Sequence, residues 1–211
     1  MTTITHHIPE PVLAAYAAGS LDHPFALVVA THLSLCDDCR ASFEAHEAVG
    51  GALLEQITPE ALSPALKPGL MQMLDAPFEP EPVFRRAGVY PGPVMEALKG
   101  RPPRWKRLGG GVRQTILSAG EAGSARLLYI PAGQAVPDHG HNGMELTLVL
   151  QGSFRDETGE FRVGDVEIAD DTLEHTPVAG VGADCICLAA TDAPLRFSSM
   201  IPRLLQPIFR I

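Results

Sequence analysis

Apolar residues change their spacing near residue 110 of this 211-residue chain. Before residue 58, alanine-rich and long apolar stretches such as PEPVLAAYAAGS and HPFALVVATHLSLC are bounded by proline or aspartate. Because alanine favours helices and proline is tolerated in a first turn, residues 9–57 are predicted to be helical. SPALKPGLMQML, residues 63–74, is predicted to form a fourth, irregular helix, since Pro68 and Gly69 interrupt it. The first third of the chain is therefore expected to be all-α.

Beyond residue 110 the apolar runs become short and are separated by glycine or by acidic turns. Short runs at such close intervals are typical of an all-β domain. The predicted strands lie in VRQTILS, ARLLYIPA, LTLVLQGSF, EFRVGDVEIA and DCICLAAT.

Charge divides the chain into three parts. Residues 1–78 carry nine acidic and two basic side chains, residues 79–113 carry three acidic and eight basic, and residues 114–211 carry thirteen acidic and six basic. The basic part is rich in proline and glycine, which favours a solvated connecting segment over a nucleic-acid-binding surface. Because the acidic parts would repel phosphate, no direct binding to nucleic acid is expected.

These patterns predict two domains. A helical domain is expected over residues 1–76, a proline- and glycine-rich linker over 77–104, and an all-β domain over 105–211. No apolar run reaches the ~18 residues of a membrane helix, and MTTITHHIPE lacks the basic and apolar segments of a signal peptide. We therefore expect a cytoplasmic protein without a membrane partner. Its four cysteines are then expected to be thiols, metal ligands or redox sensors, because structural disulfides are rare in that compartment.

THLSLCDDCR, residues 31–40, contains His32, Cys36 and Cys39 at the spacing H-x3-C-x2-C. His32 and Cys36 share one face of a helix, and an aspartate after Cys36 could cap a second helix that turns Cys39 back towards them. Zinc prefers four sulfur and nitrogen ligands in a tetrahedron, so the spacing favours a zinc site that needs one more ligand. A redox pair and two simply buried cysteines are the alternatives. The histidines that could supply the fourth ligand are His6, His7, His23 and His46.

This motif in a small acidic helical domain resembles the zinc-binding anti-sigma domain. The resemblance covers about residues 1–76 and implies a domain that binds Zn²⁺ and silences an extracytoplasmic-function sigma factor. In that family an additional N-terminal histidine completes the zinc site, and His6 stands at the matching position, next to His7. The implied zinc ligands are His6, His32, Cys36 and Cys39.

A second motif, GQAVPDHGHNGMELTLVLQG over residues 133–152, contains His139, His141 and Glu145. The two histidines alternate on a strand and point to the same side. The spacing resembles the first motif of the cupin superfamily, which implies an all-β barrel, the double-stranded β-helix, with a metal inside. GDVEIADDTLEHTP resembles the second motif and supplies His175. Three histidines and one carboxylate suit Zn²⁺, Mn²⁺, Fe²⁺ or Ni²⁺, and zinc is our first choice for this second divalent metal; an empty site is the alternative.

A helical zinc domain followed by a cupin domain resembles the ChrR-type zinc anti-sigma factors, and this resemblance covers nearly the whole chain. It implies a transcriptional regulator that is not an enzyme and that releases its sigma factor under oxidative stress, such as singlet oxygen or organic peroxide. The other hypothesis is a metal-dependent cupin enzyme, a dioxygenase or isomerase, with a helical accessory domain. The sequence names no general base for such an enzyme. An anionic substrate could be bound by Arg126, Arg155, Arg162 and Arg196, but arginines on strands more often lie at the surface, and we expect them there.

DCICL places Cys185 and Cys187 two residues apart on a predicted strand, so that both thiols share one face. Buried cysteines commonly behave as small apolar residues. The alternative is a redox pair that senses stress. A disulfide between these positions would be strained and easily reduced, which suits a switch better than a structural role.

Overall fold

Helices precede strands in the folded chain, in the order that the apolar pattern predicts. The computed structural model describes residues 3–74, 77, 80–193 and the backbone of 196–197. Among these residues, no helix is both long and apolar enough to cross a membrane. The helices are α1 (Glu10–Ala17), α2 (His23–Leu33), α3 (Asp37–Leu54), α4 (Leu66–Leu74) and α5 (Gly92–Ala97).

Strands occupy the second half of the described chain. The longer strands fall on the apolar runs named above, whereas β1, β4, β9, β10 and β12 lie outside them. The strands are β1 (Lys106–Gly109), β2 (Val112–Gly120), β3 (Gly123–Ile130), β4 (His139–Gly140), β5 (Glu145–Gln151), β6 (Ser153–Arg155), β7 (Glu160–Arg162), β8 (Val166–Ala169), β9 (Glu174–His175), β10 (Val178–Ala179), β11 (Cys185–Thr191) and β12 (Arg196–Phe197).

The described strands pair into three antiparallel sheets. The large sheet has six strands in the order β1-β2-β3-β11-β5-β8, and two small sheets have the orders β10-β6-β7 and β12-β4-β9. These sheets remain separate in the described part of the chain, so they form a layered arrangement and not the closed barrel that the sequence predicts.

Alternating side chains give the large sheet two different faces. Leu127 and Leu188 lie on its outer face, in one hydrophobic cluster with the helices. Val149 lies on its inner face and packs with Phe154 and Phe161 of the β10-β6-β7 sheet. The inner face therefore looks towards the small sheets, and the outer face is covered by helices.

The helices and the large sheet share one hydrophobic core. Helix α2 contacts β3, β5 and β11, and its Val28 and Val29 are fully buried. The sequence analysis predicted two separate domains, each with its own core. The shared core has a simple cause: α2 is apolar on most of its surface, and such a helix has to be covered on every side. Helices α1, α3 and α5 cover one side of α2, and the large sheet covers the other.

Part of the predicted linker, residues 77–104, is also folded. Helix α5 lies within it, buries Val94 and Met95, and packs against α2. Pro93 stands in its first turn, where a missing N–H group leaves no helical hydrogen bond unmade. The proline-rich composition therefore conceals a short helix that completes the cover of α2.

Candidate metal centres

Four potential metal ligands from three parts of the chain meet at the start of α3. His7 lies in the N-terminal segment before α1, His32 in the last turn of α2, and Cys36 and Cys39 at the start of α3. Their ligand atoms lie within 4.8 Å of one another, and His7 Nδ1 is 3.3 Å from Cys36 Sγ and 3.5 Å from Cys39 Sγ. Ligands about 2.1–2.3 Å from one tetrahedral zinc ion are themselves roughly 3.5 Å apart. This group, which we call the thiolate cluster, therefore has the dimensions of a zinc site.

The protonation of His32 fits metal binding. Its Nδ1 lies 2.9 Å from the carbonyl oxygen of Gly164 and must donate to it, because a carbonyl only accepts. The lone pair is then on Nε2, which is buried and has no hydrogen-bond partner among the described residues. Burial lowers the pKa of His32 to about 4, so its imidazole is neutral at pH 7. A buried, neutral nitrogen without a protein partner is what a metal ion requires.

The two cysteines are positioned by the first turn of α3. Cys36 is the N-cap residue, and its sulfur accepts the N–H of Cys39 at 3.5 Å. The cap predicted from the sequence was an aspartate, but Asp37 and Asp38 lie inside the first turn instead. Burial raises the pKa of Cys39 to about 11. A buried thiol with a raised pKa resists losing its proton unless a cation compensates the charge, and bound Zn²⁺ would supply that compensation.

His6, the fourth ligand implied by the family resemblance, lies apart from the thiolate cluster. Its ring faces the strands, 4.5 Å from the ring of Phe161 and with Nδ1 3.6 Å from Asp165 Oδ1. Its backbone N–H donates to Asp165 Oδ1 at 2.9 Å, and its carbonyl oxygen accepts the N–H of Val166 at 3.1 Å. Successive side chains of an extended segment point to opposite sides, so these contacts turn His7 towards the cysteines. We therefore replace His6 with His7 in the ligand set.

Separate substitutions of His6 and His7 show which of the two histidines completes the ligand set. We expect His7→Ala to weaken zinc binding by more than the ~10–100-fold that is typical of losing an outer-shell partner, because a ligand itself is removed. His6→Ala, the matched control, is expected to retain zinc. The measurement is competition with a chromogenic chelator on the purified full-length chain. Loss of zinc from the His6→Ala chain but not from the His7→Ala chain would restore the original assignment.

A second cluster forms where β4 and β9 meet. His175 Nε2 lies 3.2 Å from His141 Nε2 and 3.3 Å from His139 Nε2, and all three residues are buried. Two nitrogens bound to one ion at about 2.1 Å are themselves roughly 3.0–3.4 Å apart at octahedral or tetrahedral angles. This histidine cluster therefore has the spacing of three ligands around one divalent ion, and the motif identified in the sequence does bring these residues together.

Two acidic residues behind His175 were missed in the sequence analysis. His175 Nδ1 lies 2.6 Å from Asp156 Oδ2 and 3.2 Å from Glu167 Oε1. A carboxylate that accepts from the far nitrogen of a metal-binding histidine fixes the ring and leaves Nε2 for the metal. Glu167 could have been suspected, since it is an acid between apolar residues of a strand. Asp156 has no such signal, because it lies in a polar turn.

Three neighbouring side chains, Glu167, Asp156 and His175, shift one another's pKa values. Burial raises the pKa of Glu167 to about 8, so Glu167 is mostly protonated at neutral pH. Burial also opposes the charge of Asp156, but hydrogen bonds from Glu167, His175 and Thr158 outweigh it and hold the Asp156 pKa well below its usual range. Burial opposes the charged form of His175 as well, yet its bonds to Glu167 and Asp156 raise its pKa to about 9. Nε2 of His175 thus holds either a proton or a metal ion.

Glu145 lies beside the histidine cluster. Its Oε2 is 3.6 Å from His141 Nδ1, and its Oε1 accepts from the Thr147 hydroxyl at 2.9 Å. The Nε2 atoms of the three histidines face one another, and Glu145 approaches the opposite nitrogen of His141. Its assignment as a fourth ligand remains a prediction.

Cys185 and Cys187 lie on the inner face of β11, both buried, with their sulfurs 3.4 Å apart. Their hydrogen bond and their burial raise the pKa of Cys187 well above its usual value. A thiol with a raised pKa, such as that of Cys187, reacts slowly, because the thiolate is the reactive form. The geometry agrees with both interpretations of the pair, as small core residues and as a redox pair, and the chemistry favours the former.

Comparisons with known proteins give one consistent result. The family model described as the ChrR cupin-like domain matches residues 98–194. The anti-sigma-E factor ChrR of Cereibacter sphaeroides is 58% identical over 212 residues, which is 99% of this chain and 100% of that protein. The crystal structure of Rhodobacter sphaeroides SigE in complex with the anti-sigma ChrR is similar with a TM-score of 0.81 and 57% identity, covering 90% of this chain and 100% of that chain.

These likenesses extend over both the helices and the strands. They show a cupin-like fold in the strand part, preceded by a small helical region. They also place the chain among regulators and not among enzymes, which answers the alternative raised by the metal-binding motif. The chain belongs to the family of ChrR anti-sigma factors.

Proposed function

We propose that this chain binds and inhibits an extracytoplasmic-function sigma factor, and that it does so in the cytoplasm, where bacterial transcription takes place. The observation that carries the proposal is the full-length similarity to the ChrR chain found in complex with SigE. We assign inhibition to the helical region, residues 10–74, because its surface has the two properties that a sigma-binding protein needs. These are uncovered apolar side chains and negative charge.

Apolar side chains are exposed along the end of α3 and throughout α4. No residue of α4 is buried, although leucine and methionine make up more than half of this helix. Exposed patches of this kind mark sites of protein association. We call this set the apolar surface; its members, each more than half exposed, are Val49, Leu53, Leu54, Ile57, Leu62, Leu70, Met71, Met73 and Leu74.

The negative charge of the helical region also favours a sigma factor as the partner. Residues 1–78 carry nine acidic and two basic side chains. A sigma factor has to contact DNA phosphate, so its promoter-binding surface is basic. Opposite charge on the inhibitor accelerates encounter and disfavours acidic partners. The apolar surface would then supply affinity, and the acidic side chains around it would supply rate and selectivity.

Zinc has a structural role in this proposal. We infer that Zn²⁺ is held by His7, His32, Cys36 and Cys39, and that it ties the N-terminal segment to α2 and α3. A second divalent ion, with zinc as first choice, would be held by the histidine cluster, with Glu145 as a fourth ligand. The first ion would keep the apolar surface in place, and the second would serve the response to oxidative stress.

A short segment, residues 164–167, connects the two clusters. Gly164 accepts the hydrogen bond from His32 of the thiolate cluster. Asp165, almost fully buried, accepts the backbone N–H of His6 next to the zinc ligand His7. The two clusters are thus joined through this segment by hydrogen bonds between side chains and the main chain, and not only by the linker that the sequence suggested.

Glu167 links this segment to the histidine cluster. It lies on β8, two residues after Asp165, and contacts His175 of the histidine cluster. We propose that singlet oxygen or organic peroxide oxidises the histidine shell of the bound metal, that the oxidised shell moves His175 and Glu167, and that residues 164–167 pass the displacement to His32 and the N-terminal segment. Release of the sigma factor under singlet oxygen or organic peroxide would follow from that displacement. A chain that lacks this intact metal shell would not react and would not release its partner.

Substitution of one cupin-like ligand tests both parts of the proposal. We expect full-length His141→Ala to repress transcription from a SigE-dependent reporter as wild type does, because the helical region is intact. We expect it to retain repression when cells meet singlet oxygen or organic peroxide, whereas wild type releases the reporter several-fold. His23→Ala, an exposed histidine outside both clusters, is the control. A His141→Ala chain that responds normally removes the histidine cluster from sensing, and a wild-type chain that never represses contradicts the proposed function itself.

A further inference from the structure

Arg126 on β3 is a buried arginine on the inner face of the large sheet. Only 6% of the residue is exposed, in contrast to the surface position expected from the sequence. Its Nη2 donates to Ser124 Oγ at 2.7 Å, and its Nη1 donates to Gln114 Oε1 at 3.2 Å. Both acceptors are neutral, so these bonds orient the guanidinium without balancing its charge.

Strand register places Arg126 in the same row as residues of the histidine cluster. Arg126 is opposite Ala189 on β11, Ala189 is opposite Thr147 on β5, and Thr147 is opposite Glu167 on β8. Directly opposite residues of antiparallel strands share a face. Glu167 contacts His175, so the row runs from the guanidinium to the histidine cluster. Ala189, a small side chain, stands between the two ends of this row.

The charge of Arg126 has no direct counter-ion in the described part of the chain. No carboxylate there is within ion-pair distance of it, and its Nε is a buried donor without a hydrogen-bond partner. Burial lowers the pKa of Arg126 and the more distant Glu145 opposes that change, yet a guanidinium stays protonated in proteins. Buried charges are normally paired, because burying an unpaired one is costly.

We propose that the inner face of the large sheet binds a small organic carboxylate, with its head group on Arg126 and its body directed towards the histidine cluster. Nε and Nη2 form the edge of a guanidinium that takes a carboxylate side-on through two parallel hydrogen bonds. Ser124 uses one N–H of Nη2, which leaves the second N–H and Nε for the ligand. A planar two-oxygen anion fits this edge better than a spherical one does.

The β2 end of this row lies near the surface. Ile116 is the partner of Arg126 on β2, and it is 36% exposed. Further along the sheet the inner face is closed by Val149, Phe154 and Phe161. The row therefore begins at a partly exposed residue on β2, and Arg126 is the first buried residue next to it. This ligand site does not depend on the proposed sigma-factor binding.

Propionate is the probe, and propionamide is its neutral counterpart. At constant ionic strength set with sodium chloride, we expect propionate to bind the metal-loaded full chain and propionamide not to bind. Arg126→Met is expected to weaken propionate binding about tenfold or more, the usual effect of removing hydrogen bonds to a charged group. Arg155→Met, at an exposed strand position, is the control and should bind as wild type does. Unchanged affinity in Arg126→Met, with affinity lost in His141→Ala, would mean that the metal alone holds the carboxylate and would overturn the proposal.

A measurement on the unaltered chain covers the case in which Arg126→Met does not fold. The ¹H–¹⁵N signal of a buried arginine Nε is resolved from exposed ones and shifts when Nε gains a carboxylate partner. We expect one such signal to move with propionate and to stay fixed with propionamide or sodium chloride. Saturating propionate that leaves every arginine Nε signal unchanged would refute the site.

Discussion

A chain carrying Cys36→Ser and Cys39→Ser is expected to lose both zinc and inhibition of the sigma factor, and this is the largest effect that we predict. Structural zinc sites contribute on the order of 10–16 kcal/mol to folding, which is as large as the ~5–15 kcal/mol that stabilises a whole domain. His7, His32 and both cysteines come from three parts of the chain. Without the ion, nothing comparable would hold the N-terminal segment against α2 and α3.

The measurements are zinc content, helical circular dichroism and affinity for SigE, all on the full-length chain. Cys185→Ala with Cys187→Ala is the matched control, because it removes two buried thiols far along the sequence from the thiolate cluster. That control should retain one zinc in the thiolate cluster and should still inhibit. A zinc-free Cys36→Ser, Cys39→Ser chain that binds SigE as tightly as wild type would separate zinc from inhibition.

Leu53→Asp with Leu70→Asp is expected to weaken SigE binding by about 100-fold or more. Central apolar contacts of an interface commonly contribute ~2 kcal/mol or more each, and each 1.4 kcal/mol is about tenfold in affinity. Leu53 is 60% exposed and Leu70 is 52% exposed. The substitutions should therefore leave folding and zinc content unchanged, so that a loss of binding reports the surface and not the fold.

Val181→Asp provides the same chemical change away from the apolar surface. Val181 is 91% exposed and lies in the turn between β10 and β11. We expect it to bind SigE with wild-type affinity. Equal affinities for the Leu53→Asp, Leu70→Asp chain and the Val181→Asp chain would mean that the partner docks elsewhere, and titration calorimetry with purified SigE distinguishes the two results.

The metal ligands that could be predicted are those that lie close together in the sequence. His32, Cys36 and Cys39 fall within eight residues, so the geometry of one helix end brings them together. His139 and His141 likewise alternate along one short stretch. In both cases the order of residues along the backbone decides the arrangement of the ligands, and tertiary structure adds little.

Tertiary contacts decided what the sequence could not. His6 and His7 are adjacent, and the choice between them depends on Asp165, which lies 159 residues further on and accepts the N–H of His6. Asp156 contacts His175, which lies 19 residues further along the chain. Arginine on a strand is usually exposed, and only the register of the large sheet shows that Arg126 points inwards.

Charge and periodicity predicted helices before strands, and the structure has that order, but the pattern did not predict how the two parts pack. The family resemblance implied that residues 1–76 silence the sigma factor, and the sequence predicted a separate all-β domain over residues 105–211. Val28 and Val29, however, lie in the same core as the large sheet. A chain truncated before the strands would expose the side of α2 that packs against the large sheet. Point substitutions therefore test the division of roles more cleanly than truncation does.

Transcription in a purified system tests the central claim most directly. SigE, core RNA polymerase and a SigE-dependent promoter are combined with increasing amounts of the zinc-loaded full-length chain. We predict that transcript formation falls to background near one chain per SigE, and that the Leu53→Asp, Leu70→Asp chain fails to suppress it at the same ratio. Undiminished transcription in the presence of excess wild-type chain, with zinc bound and the fold intact, would contradict the assignment of this protein as an inhibitor of a sigma factor.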